Sequence, residues 1–262
     1  MKEECKPIGF FDSGVGGISV LKEATKLLPN ENFIYLGDSK NAPYGIKSID
    51  QVKSLAFDAV NFLAAKNVKA VVVACNTATS AAIEDLRKQF NYMPVIGIEP
   101  ALKPAVKYKN RGSIIIMATP MTLSEKKFSN LMKKYEKEAQ IQPLPCPGLV
   151  ELIESGIIKG EPVEDYLEKR LKPYLEQGIA AVVLGCTHYP FIKDSLYKIL
   201  KRNTPVIDGS AGTARQLKSQ LLNYKIISPN IEKGNIEIYN SLETVDIINL
   251  SYKLLEGNTL NK

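Results

Sequence analysis

Two cysteines follow matching apolar segments of the chain, and together they could act on one small molecule. The segment VVVACNT at 71–77 is echoed by VVLGCTH at 182–188, at an offset of 111 positions (186 minus 75). Each run of β-branched residues is typical of a buried strand. Cys75 and Cys186 should therefore lie just beyond strand ends, where open α/β sheets bind ligands. We expect two thiols that face one bound molecule from opposite sides.

A thiol needs help to ionise at neutral pH, because a free cysteine has a pKa of about 8.5. Cys75 is followed by Asn-Thr and Cys186 by Thr-His, residue types that donate hydrogen bonds or begin helices. A helix N-terminus beside either sulfur would favour the thiolate. A buried cysteine that serves only as a small apolar side chain is the alternative for each position.

His188 is the only histidine in the sequence, and it lies two residues after Cys186. A histidine so placed could exchange protons with the thiol or hold a substrate carboxylate. A zinc site is the competing interpretation, but neither the cysteine spacing nor a second histidine supports it. We expect no metal.

The segment DSGVGG at 12–17 ends the first apolar run and forms a glycine-rich turn. Backbone amides in such a turn could bind a phosphate or a carboxylate, although the spacing is not that of a dinucleotide-binding loop. Asp12 could cap the strand or take a proton from a thiol. Thr119 and Thr122, which follow a later strand, could be helix caps or carboxylate ligands.

Strand and helix patterns alternate along the whole chain, which favours an α/β fold with parallel sheets and helices on both faces. The segment PVI at 94–96 recurs at 205–207 with the same offset of 111. We therefore predict two pseudo-symmetric parallel-sheet α/β domains with the active site in the cleft between them. The predicted domains are 1–98 plus 209–262, and 99–208. Predicted helices include 80–90, 124–137 and 191–200.

Bulk composition excludes several other classes of protein. The net charge of +6 is mild and no nucleic-acid-binding motif accompanies it, so we expect no nucleic-acid partner. No apolar run of 18 residues or secretory signal is present, which predicts a cytoplasmic protein without a membrane span. Its four cysteines should then be free thiols.

Several short blocks occur together in the order typical of one enzyme family. They are DSGVGG at 12–17, PYG at 43–45, ACNTAT at 74–79, GIEPA at 97–101, ATPMT at 118–122 and GCTHYP at 185–190. This set resembles the glutamate racemases over most of the chain, from Pro7 to Asp208. The last block is more similar to glutamate racemases than to the related aspartate racemases.

The resemblance implies an isomerase that interconverts L- and D-glutamate and supplies D-glutamate for peptidoglycan, without pyridoxal phosphate or metal. It implies that Cys75 and Cys186 are the two catalytic acid/bases, with Asp12 assisting the first and His188 the second. The substrate contacts that it implies are Asp12, Ser13, Pro43, Tyr44, Gly45, Asn76, Thr77, Thr119, Thr122, Thr187 and His188.

The resemblance also implies a catalytic glutamate, for which Glu154 is the best match and Glu151 a competitor. It implies a homodimer and, from the short N-terminus, independence of a cell-wall precursor as activator. The residues alone do not separate glutamate from aspartate, because no cationic side chain is visibly dedicated to the distal carboxylate. A racemase for another amino acid, a non-catalytic amino-acid-binding protein and a thiol redox protein stay open as alternatives.

Overall fold

The computed structural model describes residues 2–200 and 204–257, in which parallel strands alternate with helices. The strands are β1 (Ile8–Asp12), β2 (Phe33–Gly37), β3 (Ala70–Val73), β4 (Val95–Gly97), β5 (Ser113–Ala118), β6 (Ile141–Pro145), β7 (Ile179–Leu184), β8 (Val206–Asp208) and β9 (Ile236–Asn240). The α-helices are α1 (Ile18–Leu27), α2 (Ile49–Ala65), α3 (Asn76–Gln89), α4 (Leu102–Ala105), α5 (Pro120–Ser124), α6 (Lys126–Lys133), α7 (Leu149–Glu154), α8 (Glu161–Leu175), α9 (Lys193–Ile199), α10 (Ser210–Asn223) and α11 (Val245–Glu256). Short 3-10 helices lie at Glu3–Cys5, Ser39–Asn41, Tyr44–Ile46, Val106–Arg111 and Tyr189–Ile192.

The strands form two parallel sheets with matching topology. The first has five strands in the order β4-β3-β1-β2-β9, and the second has four in the order β6-β5-β7-β8. Strand β3, which precedes Cys75, lies between β1 and β4. Strand β7, which precedes Cys186, lies in the same way between β5 and β8. Strands β4 and β8 include residues of the repeated PVI segment. The predicted α/β class with two related sheets is confirmed.

The segment after residue 208 contributes to the first sheet, because β9 pairs in parallel with β2. The domain limits 1–98 plus 209–262 and 99–208 stay a prediction, and residues 1 and 258–262 of the first lie outside the described residues.

Successive side chains of each central strand enter different apolar cores, as the alternation of a strand requires. In the first sheet, Phe10 packs in the core that contains Ile18 and Leu217, while Phe11 packs in the core that contains Val60. Helices therefore cover both faces, and the strands are apolar throughout because both faces are buried.

Helix starts differ from the sequence prediction at three places, and hydrogen bonds explain two of them. Helix α3 begins at Asn76 instead of 80, because the Cys75 sulfur accepts a hydrogen bond from the Ala78 amide. The predicted helix 124–137 is divided at Glu125, where the backbone is extended, because Thr119 caps a separate short helix. The predicted helix 191–200 starts as a 3-10 turn at 189–192.

No helix in the described part of the chain combines the length and the apolar composition that a bilayer span requires.

A buried ion pair lies at the amino end of β3 in the first sheet. The Lys69 ammonium lies 2.5 Å from the Glu31 carboxylate, and the two side chains are 0% and 2% exposed. Lys69 also donates to the Glu4 carbonyl, while Glu31 accepts from the Ser228 amide. The pair therefore ties the N-terminal segment and the linker before β9 to the sheet.

We expect Lys69→Met to lower the free energy of unfolding by about 3–5 kcal/mol, because it leaves the Glu31 charge buried without its partner. Urea denaturation measures this loss. The matched control is Lys53→Met, since Lys53 pairs with Asp85 at the surface and exposed pairs contribute about 0–1 kcal/mol. Equal losses in the two variants would contradict the interpretation.

Candidate active site

The two thiols line one small cavity between the carboxyl ends of the two sheets. Its volume is about 10 Å³, room for about one water molecule. The residues that line it are Ser13, Pro43, Tyr44, Gly45, Cys75, Asn76, Thr77, Thr119, Val150, Cys186, Thr187 and His188. The remaining predicted site residues contact this set: Asp12 and Thr122 bind lining threonines and Glu154 binds His188. A larger cavity of about 780 Å³ between α1, α9 and α10 includes neither cysteine in its lining.

Cys75 is held at the start of α3 as a buried thiol. Its sulfur accepts from the Ala78 amide at 3.4 Å and lies 3.6 Å from the Ser13 hydroxyl oxygen, within hydrogen-bond distance. Burial, followed by the nearby Asp12 charge, raises the pKa of Cys75 to about 12, and the Ala78 and Ser13 hydrogen bonds offset only part of this rise. The helix N-terminus thus favours the thiolate as expected, but desolvation of the buried sulfur outweighs it.

Cys186 has a different environment, since no α-helix begins beside it. Thr187 and His188 form a turn, and a 3-10 helix starts only at Tyr189. The Cys186 sulfur lies 3.7 Å from Nδ1 of His188. We expected a helix to start beside each thiol, and an α-helix starts only beside Cys75.

His188 is buried between Cys186 and Glu154. Its Nε2 lies 2.5 Å from Oε1 of Glu154. Burial lowers the pKa of His188, but the contacts with Cys186 and Glu154 raise it by more, so that it stands well above its ordinary value. An imidazolium between a carboxylate and a thiol is the favoured state, and such a cation favours a thiolate beside it.

Glu154 is bound from both halves of the molecule. Its Oε1 accepts from the Val15 amide at 2.7 Å, and its Oε2 accepts from the Ser39 hydroxyl at 2.8 Å. Burial raises the pKa of Glu154, but the hydrogen bonds from His188, Val15 and Ser39 outweigh it and lower the pKa overall. The competing Glu151 is exposed, so it is Glu154 that contacts His188.

Asp12 is fully buried and bound across the cleft. Its carboxylate accepts from the Gly14 amide at 3.0 Å and from the Thr187 hydroxyl at 2.8 Å. Burial raises the pKa of Asp12, and the charge of His188 offsets part of that rise. The charge of Asp12 raises the pKa of Cys75. Its predicted assistance to Cys75 stays a prediction.

The glycine-rich turn brings the two halves into close contact. A Cβ on Gly14 would lie 1.9 Å from Oε1 of Glu154, and one on Gly16 would lie 2.4 Å from Nδ1 of His188. The Val15 amide between them binds the Glu154 carboxylate. The protein's own Glu154 carboxylate therefore occupies this amide, and binding of a phosphate or carboxylate ligand by the turn stays a prediction.

Neutral hydroxyl groups form the other wall of the cavity. Thr77, Thr119 and Thr122 hydrogen-bond to one another at 2.9–3.2 Å, joining α3 to α5. The Tyr44 hydroxyl donates to Asp38 at 2.7 Å, and burial raises the pKa of Tyr44, so it stays neutral. Gly45 allows the tyrosine turn to approach Thr119, since a Cβ there would lie 2.5 Å from that side chain.

Four residues of this region were not anticipated: Val150 in the lining, and Asp38, Ser39 and Asn240 in its hydrogen bonds. Asp38 follows β2 as Asp12 ends β1, so its place after an apolar run was a usable signal. Ser39, Val150 and Asn240 carry no such signal. Among the described residues, no group of three or more His, Cys, Asp or Glu side chains is arranged to hold a metal ion.

Comparison with known proteins shows the family to which the chain belongs. A family model described as Asp/Glu/Hydantoin racemase matches residues 18–217. The chain is 63% identical over 257 residues to a glutamate racemase of Clostridium kluyveri, covering 98% of this chain and all of that protein. A glutamate racemase of Clostridium acetobutylicum is 62% identical over 256 residues, with the same coverage.

Solved structures give the same result. Glutamate racemase from Francisella tularensis in complex with D-glutamate has a TM-score of 0.83 at 30% identity, covering 98% of this chain and 96% of that one. The Escherichia coli enzyme, in complex with L-glutamate and the activator UDP-MurNAc-ala, has a TM-score of 0.84 at 31% identity, covering 96% and 95%. The chain thus belongs to the Asp/Glu/hydantoin racemase family of isomerases. Within that family its relatives are the glutamate racemases, and the predicted resemblance is confirmed.

We expect Gly14→Ala to lower kcat/KM at least about tenfold, because the new methyl group displaces the Glu154 carboxylate from the Val15 amide, and a hydrogen bond to a charged group contributes ~1.5–3 kcal/mol. Steady-state racemisation measures this. Gly212→Ala is the control, because a Cβ there meets only Arg215 at 3.9 Å. A Gly14 variant as active as the Gly212 variant would contradict the role of the turn.

Proposed function

We propose that this protein interconverts L- and D-glutamate without a cofactor, using Cys75 and Cys186 as the two bases. The observation that carries the proposal is that both sulfurs line one cavity between equivalent strand ends of two related sheets. Racemisation needs a proton removed from one face of Cα and another delivered to the opposite face. Two thiols across a substrate can do both without moving, which one base cannot.

The unequal environments of the thiols suit one acid and one base. Cys75, with a pKa of about 12, is the thiol, while Cys186 faces the imidazolium of His188 and acts as the thiolate. The Cys186 thiolate takes the Cα proton, and the carbanion takes the Cys75 proton on its other face. In the reverse direction the roles of the two thiols exchange. Asp12, whose pKa is raised, is the group suited to accept the proton of the Cys75 thiol.

Neutral donors around the cavity would bind the substrate and stabilise the carbanion. Lysine and arginine are absent from the described lining, so the substrate carboxylates would be bound by the hydroxyls of Ser13, Thr77, Thr119 and Thr187 and by backbone amides. The Asn76 side-chain oxygen is buried and has no hydrogen-bond partner among the described residues, and it could accept from the substrate ammonium. Because the cavity holds about one water molecule, the two halves must separate to admit glutamate.

The choice of glutamate over aspartate rests on the curated relatives and on the neighbours whose structures contain L- or D-glutamate. D-glutamate made by this protein would supply peptidoglycan synthesis. The four cysteines are free thiols, which supports a cytoplasmic location. The homodimer and the independence of an activator stay predictions.

The test of the proposed substrate is loss of circular dichroism from a panel of L-amino acids with no cofactor added. We expect L-glutamate to be racemised fastest and D-glutamate to be converted at a matching kcat/KM, since the two enantiomers have equal free energy. An unchanged glutamate signal would favour a non-catalytic binding protein or a thiol redox protein. A faster signal from L-aspartate would contradict the assigned substrate.

We expect Cys75→Ser and Cys186→Ser each to lower racemisation by about 10²–10⁴-fold, the usual contribution of a positioned acid or base. Each variant should still exchange the Cα hydrogen of one enantiomer with deuterated solvent, because one base survives. Cys5→Ser is the control and should be fully active. Near-normal racemisation by either active-site variant would overturn the two-base assignment.

A further inference from the structure

A chain of hydrogen bonds connects the end of β9 to the Cys186 thiol. Nδ2 of Asn240 donates to Oγ of Ser39 at 2.9 Å, and Oγ of Ser39 donates to Oε2 of Glu154 at 2.8 Å. The other oxygen of Glu154 lies 2.5 Å from Nε2 of His188, whose Nδ1 lies 3.7 Å from the Cys186 sulfur. The chain thus runs from the C-terminal strand of the first sheet to a thiol of the second half.

The directions of the first two hydrogen bonds in this chain are determined by their neighbours. Oδ1 of Asn240 accepts from the Leu242 amide at 3.0 Å, so the amide nitrogen must face Ser39. That nitrogen is only a donor, so the Ser39 oxygen accepts from it. The single hydroxyl hydrogen of Ser39 must then point to Glu154.

The fold makes room for the asparagine side chain. Gly37 in β2 is paired with Asn240, and a Cβ on Gly37 would lie 2.9 Å from Nδ2 of Asn240 and 2.6 Å from the Gly14 carbonyl. Asn240 is itself 5% exposed. The end of β2 therefore lacks a side chain at the place where the amide enters the site.

The hydrogen bond from Ser39 favours the ionised form of the Glu154 carboxylate. The titratable groups whose charges act at this carboxylate are His188 after β7, Asp12 in β1 and Tyr35 in β2. An ionised carboxylate holds the proton on Nε2 of His188. The Nδ1 side of the ring is thereby kept towards Cys186.

We propose that Ser39 and Asn240 are positioning residues, which orient the Glu154 carboxylate and through His188 control the thiolate fraction of Cys186. The inference rests on the proposed role of Cys186 as a catalytic base. Strand β9 thereby contributes to the chemistry, although it lies far from both cysteines in the sequence.

The experiment compares Ser39→Ala, Ser39→Thr and Asn240→Asp with the wild type. Ser39→Ala removes the donor to Glu154. Asn240→Asp has the same shape but accepts where the amide donated, so it draws the Ser39 hydroxyl away from Glu154. We expect both to lower kcat/KM about tenfold and to move its acidic limb up by about one pH unit, since the carboxylate then ionises at higher pH. Ser39→Thr keeps a hydroxyl and should restore most of the activity.

A second measurement does not depend on racemisation. The rate of iodoacetamide alkylation is followed at Cys186 and Cys75 by peptide mass spectrometry as a function of pH. In Ser39→Ala and Asn240→Asp, alkylation of Cys186 should shift to higher pH, while that of Cys75 should not change. If the proposed catalytic function fails, this readout still decides whether the hydrogen-bond chain controls the thiol.

The matched control is Ser241→Ala. The Ser241 hydroxyl accepts from the Lys40 amide at 3.0 Å, so it joins the same two segments without reaching Glu154. A merely structural role for Ser39 predicts equal effects in Ser39→Ala and Ser241→Ala, and that result, or an unchanged Cys186 alkylation profile, would overturn the proposal. Circular dichroism verifies folding, and the isosteric Asn240→Asp decides the question if Ser39→Ala does not fold.

Discussion

The carboxylate of Glu154 is the group on which the geometry of the site depends. It is held by a backbone amide of the first half, a hydroxyl after β2 and the imidazole of His188. A carboxylate at this depth is stable as an anion only while these donors surround it. Two structural demands follow: a glycine where its oxygen approaches the turn at Gly14, and a strand end that brings Asn240 beside Ser39.

The two sheets supply equivalent positions, but the side chains at those positions differ. The Ala74 amide bonds to the carbonyl of Phe11, and the Gly185 amide bonds in the same way to Met117, so the two cysteines follow matching points of the two sheets. Cys75 then begins an α-helix and is bound by a serine hydroxyl, whereas Cys186 begins a turn and faces a histidine. A symmetric scaffold thus places two thiols in unequal surroundings, which suits a reaction that needs an acid and a base at once.

Burial changes the behaviour of a group without leaving a local mark in the sequence, and this explains where the sequence prediction was wrong or left alternatives open. The helix after Cys75 was predicted to start four residues too late, because Asn and Thr favour turns and caps in isolation, while here the buried Cys75 sulfur caps the helix. The helix N-terminus favours the Cys75 thiolate as expected, but desolvation, which the sequence does not reveal, outweighs that effect on the pKa. Glu151 and Glu154 are three residues apart on one short helix, and only the direction in which α7 faces the cleft separates them.

The sequence by itself determined the α/β class, the two related sheets, the cysteines at equivalent strand ends and the family, because alternating periodicity and short motifs are local patterns. Tertiary structure alone decided which carboxylate meets His188, why the turn at 12–17 needs glycines, and that β9 delivers Asn240 to the site. Those contacts join residues as many as 201 positions apart, as Ser39 and Asn240 are. Their distances depend on how two sheets pack against each other, a property that no local segment of the chain contains.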